Sequence, residues 1–337
     1  MSFYECDKCK RTWQHPIQIC PYCLSSLNKV KSNKVKVFAV SKINIPTLKH
    51  PNVPYYALIL EDENGHKWAQ KSFKEYNVND EIEFEKDENA VAIVKTKYDL
   101  LDATSTVIEH LGGLKASNVL IIPDLSSPDH AYLKENTSSQ FLGAIIDYLL
   151  KNNIKDIKVA CQSFNEIPVE FSAQKSGLLD VCTKRGIIPF DLAKTNFVQK
   201  GNLEISEEVL NADLVLNLAM CKIGKAEASL NLFKILKKEN YSSLKYLSSE
   251  KEIISELVTA LPNIISIGEA ETVQRSDRVS TYLGIILASK NAQKIDRVFN
   301  EIVEASKLPE LTEDVDLNDI KTIGRDIKEV KYKAELY

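Results

Sequence analysis

Two cysteine pairs near the amino terminus, Cys6-Asp7-Lys8-Cys9 and Cys20-Pro21-Tyr22-Cys23, constrain this chain more than any other feature. A Cys-x-x-Cys turn aims two sulfurs at one point. Two such turns, ten residues apart, complete a tetrahedral four-thiolate shell with no position left for a substrate. The closed shell reads as a structural Zn2+ site. Residues 1–27 are too few to fold on buried apolar area, so metal affinity becomes folding energy, and without metal this zinc ribbon should be unfolded. A rubredoxin-like iron site or a dithiol redox pair would use the same residues, but a thioredoxin-type pair sits between a strand and a helix. His15 lies between the pairs and reads as a surface residue, since four sulfurs already satisfy the metal. Cys161, Cys182 and Cys221 sit on or beside apolar stretches as buried inert thiols, a pattern unlike a secreted disulfide framework.

The first residues lack the basic and apolar regions of a secretory signal, and no apolar run approaches the roughly 20 residues of a spanning helix. A soluble cytoplasmic protein with no membrane partner is expected. The 337 residues favour two domains with cores of their own. The net charge of −4 excludes a wholesale nucleic-acid coat, although it conceals a local imbalance. Residues 1–50 carry nine Lys or Arg against two acids, whereas residues 51–100 carry six against eleven.

From Lys34 to Thr96 the chain reads as five short strands: Lys34–Ile45, Tyr55–Glu61, His66–Ser72, Glu81–Glu85 and Ala90–Val94. That count suggests a small OB-type β-barrel over residues 28–97, a fold whose usual ligands are oligonucleotides or oligosaccharides. Lys29, Lys31, Lys34 and Lys36 have the spacing to track phosphates, as in a single-stranded nucleic-acid binder, but a solvated linker has the same composition.

Beyond Tyr98 strands alternate with helices, giving an α/β fold overall and a three-layer domain with a mostly parallel sheet over residues 98–337. A helix over Asp99–His110 stops at Gly112-Gly113. Strands follow at Val119–Ile122, Lys158–Cys161, Ile187–Phe190, Asp213–Met220 and Ile264–Ile267, with helices over Thr137–Asn152 and Glu170–Arg185 and a capping box at Ser249–Glu252. Ligands of such sheets gather beyond the carboxyl ends of the strands. Three loops qualify there and supply Asp124 and Ser126, Lys222, and Glu269, Glu271 and Arg275 as candidate ligand-binding residues. No glycine-rich dinucleotide or Walker loop occurs, and no Ser-His-Asp or Cys-His set can be assembled, so no catalytic residue is assigned.

The ribbon, followed by Val40-Ser41-Lys42-Ile43-Asn44-Ile45-Pro46 and Val53-Pro54-Tyr55-Tyr56-Ala57-Leu58, resembles the ribbon-plus-OB acyl-CoA-associated proteins known as domain of unknown function 35. The likeness spans about residues 3–96 and departs at Asn79, where glycine is usual. It implies a CoA thioester as ligand, a thiolase-like enzyme as partner and a non-catalytic role. A pantetheine arm would lie on the barrel, with Lys29, Lys31, Lys34 or Lys36 at the CoA phosphates. The remainder, from about Val107 to Val330, resembles a degenerate member of domain of unknown function 362, through Val119-Leu120-Ile121-Ile122-Pro123-Asp124, Ala212-Asp213-Leu214-Val215 and Leu283-Gly284-Ile285-Ile286. Where that family has Lys-Pro-Asn, Lys-Thr-His and Lys-Asn, this chain has Ile122-Pro123-Asp124, Lys222-Ile223-Gly224 and Lys234-Ile235. The departures weaken the iron–sulfur role that the resemblance would otherwise imply and favour a domain kept for binding. Together these readings describe a cytosolic acyl-CoA-handling accessory protein. An enzyme acting on a small carboxylate or thioester through Lys222, Asp124, Glu269 and Glu271 is the alternative.

Overall fold

The computed structural model describes residues 2–13, 17–31, 34–47, 53–97, 99–125, 127–130, 133–261, 263–274 and 280–332. His15, Ser126 and Arg275, together with the side chain of Lys31, lie outside the described residues.

The ribbon is a three-stranded antiparallel sheet in which β1 (Ser2–Cys6) pairs with β2 (Thr12–Trp13) on one side and β3 (Leu27–Lys31) on the other. It does not stand apart. Phe3 packs edge-on against Trp68, ring centroids 4.9 Å apart, and so joins the small core of the next module. That module is a sheet of β4 (Val35–Ile43), β5 (Tyr55–Asp62), β6 (Lys67–Ser72) and β7 (Glu81–Ile82) in the order β6-β5-β4-β7. Alternation along β5 sends Tyr56, Leu58 and Leu60 inward onto Val37 and Trp68.

The strand expected at Ala90–Val94 as the fifth of a barrel is β8 (Val91–Lys95), and it belongs to the large sheet. Its pairing with two later strands explains the difference. Val91 and Ile93 face one apolar layer while Ala90 and Ala92 face the other, a two-sided burial that an open half-barrel does not provide. What remains at the amino end is a four-stranded half-barrel.

After α1 (Leu100–His110), capped by Asp99, come β9 (Asn118–Pro123), α2 (Ser139–Lys151) and β10 (Asp156–Cys161). The helix expected over Glu170–Arg185 is two, α3 (Val169–Lys175) and α4 (Leu178–Thr183), because Gly177 takes a left-handed φ of 78° between them. Then follow β11 (Phe190–Asp191), the hairpin β12 (Phe197–Lys200) and β13 (Leu203–Ser206), α5 (Glu207–Leu210) and β14 (Leu214–Met220). Helices α6 (Glu227–Leu232), α7 (Lys238–Leu247) and α8 (Glu250–Ala260) lead to β15 (Ile264–Gln274) and β16 (Ser280–Ser289). The chain closes with α9 (Ala292–Ile302), β17 (Thr322–Gly324) and α10 (Ile327–Val330).

Eight strands run in the order β11-β10-β9-β14-β15-β16-β8-β17. Strands β11 through β15 in that order are mutually parallel, and β16 is antiparallel to both its neighbours. The sheet is sandwiched between two apolar layers, and each of its six inner strands feeds both: Leu120 and Ile122 pack with Phe233 and Phe299, Val119 and Ile121 with Phe141 and Ile145. The chain leaves β9 toward β10 on one side and returns to β14 on the other. This reversal places a topological switch point between β9 and β14, where their carboxyl ends diverge and leave a crevice.

Candidate functional site

Three elements bring charged groups into that crevice. Asp124 follows β9 and is held by its own backbone, whose N–H donates to the Thr137 hydroxyl at 2.8 Å and to the Leu218 carbonyl at 2.8 Å. Lys222 follows β14, and Lys234 lies in the short turn after α6. The Lys234 ammonium donates to Asp124 Oδ1 at 2.7 Å, and the Lys222 ammonium lies 3.8 Å from Asp124 Oδ2, 3.3 Å from Glu135 and 3.4 Å from Glu227. Asp124, Lys222 and Glu227 are buried and Lys234 nearly so, while Glu135 stands at the rim with 30% of its side chain exposed.

Burial opposes the charge on each lysine, yet the carboxylates around Lys222 and Lys234, Asp124 foremost, raise both pKa values above the ordinary lysine range. Both therefore stay protonated and act as fixed hydrogen-bond donors. Burial raises the pKa of Glu227. Two ammoniums against three carboxyl groups leave the crevice without excess positive charge, which suits a polarised carbonyl or a single carboxylate better than a phosphate.

Beneath the cluster the helix α6 is tied to the sheet by buried amides. Asn231 Nδ2 donates to Asn217 Oδ1 at 2.8 Å, and Asn217 Nδ2 donates to the Ala228 carbonyl and to Ser266 Oγ. The loop carrying Lys222 is fastened from α9: the Gly224 N–H donates to Asn300 Oδ1, and Asn300 Nδ2 donates to the Lys225 carbonyl. Gln162, at the end of β10, donates to the carbonyls of Lys234 and Leu236 and fixes the turn that presents Lys234.

Glu269 is on β15, not in a loop, because the strand continues to Gln274. Its carboxylate accepts from the N–H and hydroxyl of Ser138 at the start of α2, and burial raises its pKa to about 6. Glu271 lies two residues further along β15 and is half-buried, with no contact to Lys222 or Lys234. The structure thus joins Asp124 and Lys222 directly and keeps Glu269 on the next strand. Glu135, Glu227, Lys234 and Ser138 complete the surroundings. Sequence spacing missed these four because each comes from a helix start or turn whose position depends on the crossovers.

The amino-terminal lysines are differently employed. Lys29 lies 3.3 Å from Asp99 and 2.9 Å from Asp102 on α1, and Lys36 lies 3.1 Å from Glu61. Lys34 is exposed. With Tyr4 donating to Asp99, the Lys29 pairs tether the ribbon to α1. Cys161, Cys182 and Cys221 are buried, and burial pushes their thiols up, the first two to about 11. None is a nucleophile at neutral pH.

The four cysteines of the ribbon converge. Their sulfurs all lie within 4.8 Å of one another, with Cys6 and Cys23 3.3 Å apart and Cys9 and Cys20 3.6 Å apart. Tetrahedral Zn–S bonds of about 2.3 Å separate the sulfurs by about 3.8 Å, so the donor set fits a thiolate-held metal ion. Both turns are built alike. The N–H of Lys10 donates to the Cys6 carbonyl and that of Leu24 to the Cys20 carbonyl, and Lys10 and Leu24 share a left-handed φ near 57° and 56°. Two such knuckles facing each other bring the pairs to one centre.

Asp296 on α9 is buried and accepts from the N–H groups of Ala228 and Ser229 and from the Ser229 hydroxyl, yet burial raises its pKa to about 7. A carboxyl with a higher pKa folded than unfolded favours folding at low pH, and that contribution is lost as pH rises from about 4 to about 7. Asp296→Asn is expected to remove this slope. Urea unfolding at pH 5 and pH 8 should show the variant gaining on the native chain at the higher pH, on the order of 2 kcal/mol. A constant difference would mean that Asp296 remains ionised throughout.

A sequence-family profile described as Domain of unknown function (DUF362) matches residues 119–301, more than half of the chain. No curated protein matches. Among solved structures, a chain of the one described as Ltp2-ChsH2(DUF35) aldolase is similar over 24% of this chain and 68% of that one, at 17% identity and a TM-score of 0.20. No helix of the described residues is long and apolar enough to cross a membrane.

Proposed function

The chain belongs to the DUF362 family, whose match contains every charged residue of the crevice, and on that premise we propose that its α/β portion binds the acyl end of a small thioester or carboxylate at the switch point between β9 and β14. The observation that carries this reading is the buried arrangement of Lys222 and Lys234 around Asp124. Two ammoniums held protonated and away from bulk water are preorganised donors for a carbonyl oxygen.

In the same reading the four amino-terminal cysteines hold Zn2+ and give the ribbon its shape. The protein acts as a cytosolic accessory that presents an acyl-CoA to a thiolase-like enzyme. The resemblance of residues 3–96 to ribbon-plus-OB acyl-CoA-associated proteins supports the choice of ligand and partner.

Calorimetry on the zinc-loaded full-length protein tests the reading, with acetyl-CoA as ligand and free CoA as control. Acetyl-CoA is expected to bind more tightly than CoA, and Lys222→Met to erase the difference, a loss of about tenfold or more. Equal affinity for the two ligands in the native chain would overturn the assignment of the crevice to an acyl group.

A further inference from the structure

The outward face of the half-barrel is apolar where a solvent-facing surface should be polar. Its inward face is occupied by the small core of Phe3, Val37, Tyr56, Leu58, Leu60 and Trp68. A sheet buried on one side alternates apolar and polar residues, yet the run Tyr55-Tyr56-Ala57-Leu58-Ile59-Leu60 in β5 is apolar or aromatic without a break, the pattern of a strand covered on both sides. The register gives the neighbours of its outward residues. Ile59 pairs with Ala39 on β4 and Ala69 on β6, Ala57 with Ser41 and Lys71, and Tyr55 with Ile43. Ala57 and Ala69 are exposed, as are Ile59 at 37% and Phe38, the extra residue of the β4 bulge, at 47%.

Small side chains, Ala39, Ser41, Ala57 and Ala69, surround Ile59 in the middle of this face, and its ends are aromatic. Phe38 stands at one end with the Lys67 ammonium 3.3 Å from its ring centroid. Tyr55 and Phe73 stand at the other, with the Lys71 ammonium 4.5 and 4.6 Å from their centroids. Lys36 and Lys67 both reach Glu61, at 3.1 and 3.4 Å. On these three strands the outward face thus carries three ammoniums against one carboxylate.

We propose that this face docks one amphipathic α-helix of a partner protein, its apolar stripe laid over Ile59 and its flanks acidic. From Tyr55 to Glu61 the face is about 20 Å long, and its outer strands lie about 10 Å apart. A helix about 10 Å across covers that width, and about 13 residues at 1.5 Å each cover the length. The small floor lets the helix approach the sheet, and Phe38 with Tyr55 and Phe73 bounds it at the two ends. Acidic flanks complement Lys36, Lys67 and Lys71, whereas a second copy of this face would present like charge to them. A flat footprint of roughly 200 Å2 also falls far short of the about 800 Å2 per partner of a stable dimer, so the contact is a transient one with a single segment. The proposal concerns a different surface from the crevice and does not rest on the acyl-thioester reading.

A photoactivatable amino acid in place of Ala69 of the full-length protein, illuminated in the cells that produce it, tests the proposal once the cross-linked peptide is sequenced by mass spectrometry. The expected product is a segment of one other protein with apolar residues three and four apart and Asp or Glu beside them. As a synthetic peptide, that segment should bind the purified protein and gain helical circular dichroism on binding. Ile59→Asp should weaken it by at least about tenfold, and the charge reversal Lys67→Glu/Lys71→Glu should do the same. Ile59 is outward and exposed, so the thermal midpoint of Ile59→Asp should match that of the native chain, which separates lost docking from lost folding. Cross-linking to a second copy of the chain, to nucleic acid, to a segment without the acidic amphipathic pattern, or to nothing overturns the proposal. So does a peptide that binds native and Ile59→Asp protein equally.

Discussion

With Zn2+ held by the four cysteines as proposed, stripping it from the purified protein is expected to release residues 2–31 from the fold while the eight-stranded sheet stays intact. Structural zinc supplies roughly 10–16 kcal/mol of apparent binding energy to small modules, and that energy is folding energy when the ribbon has little else. Besides the four sulfurs, the ribbon is held by Phe3 against Trp68, by the Tyr4 bond to Asp99 and by the Lys29 pairs to α1. Exposed ion pairs contribute only about 0–1 kcal/mol each. Hydrogen exchange of β1–β3 before and after chelation measures the effect, and Cys20→Ser should reproduce it with bound zinc falling from one equivalent toward none. The large sheet takes its stability from two apolar layers that include no ribbon residue, so its slow amides should stay protected. Undiminished protection in the stripped ribbon would show that the sulfurs do not supply its folding energy.

The second large effect belongs to the crevice. Asp124→Ala leaves two buried ammoniums facing each other without their shared carboxylate, and loss of one partner of a buried pair costs about 3–5 kcal/mol. Replacing the pair together is a different experiment. Asp124→Asn/Lys234→Met removes one charge of each sign, and most of the loss should be recovered, because desolvating an ion pair offsets much of what the pair contributes. Affinity for acetyl-CoA should stay lost in the double variant although stability returns. That separation distinguishes an ion pair kept for binding from one kept for packing. A loss below about 1 kcal/mol for Asp124→Ala would mean that water screens the cluster.

The structure refines the sequence-based reading in an instructive way. The helix stop at Gly112-Gly113 and the capping box at Ser249 and Glu252 were legible because each depends on residues a few positions apart. Glu269 was assigned to a loop because Gly268 and the polar residues after Ile267 look like a strand end. The strand continues because β16, the next strand in the chain, folds back along it as an antiparallel hairpin from Ser280 to Ser289. The barrel failed to close for a different reason: β8 has local β character, while its neighbours β16 and β17 lie far along the chain.

The sequence by itself determined the four-cysteine cluster, because four sulfurs in two tight turns carry their geometry with them. It also determined the α/β character of the larger part, since apolar periods of about two and 3.6 residues are local properties. Only the tertiary structure decided that Asp124, Lys222, Lys234 and Glu227 share one crevice. The reason is physical. Which charges meet depends on strand order and crossover, and those are fixed by the burial of whole faces of the sheet, a sum over the chain that no short stretch of residues contains.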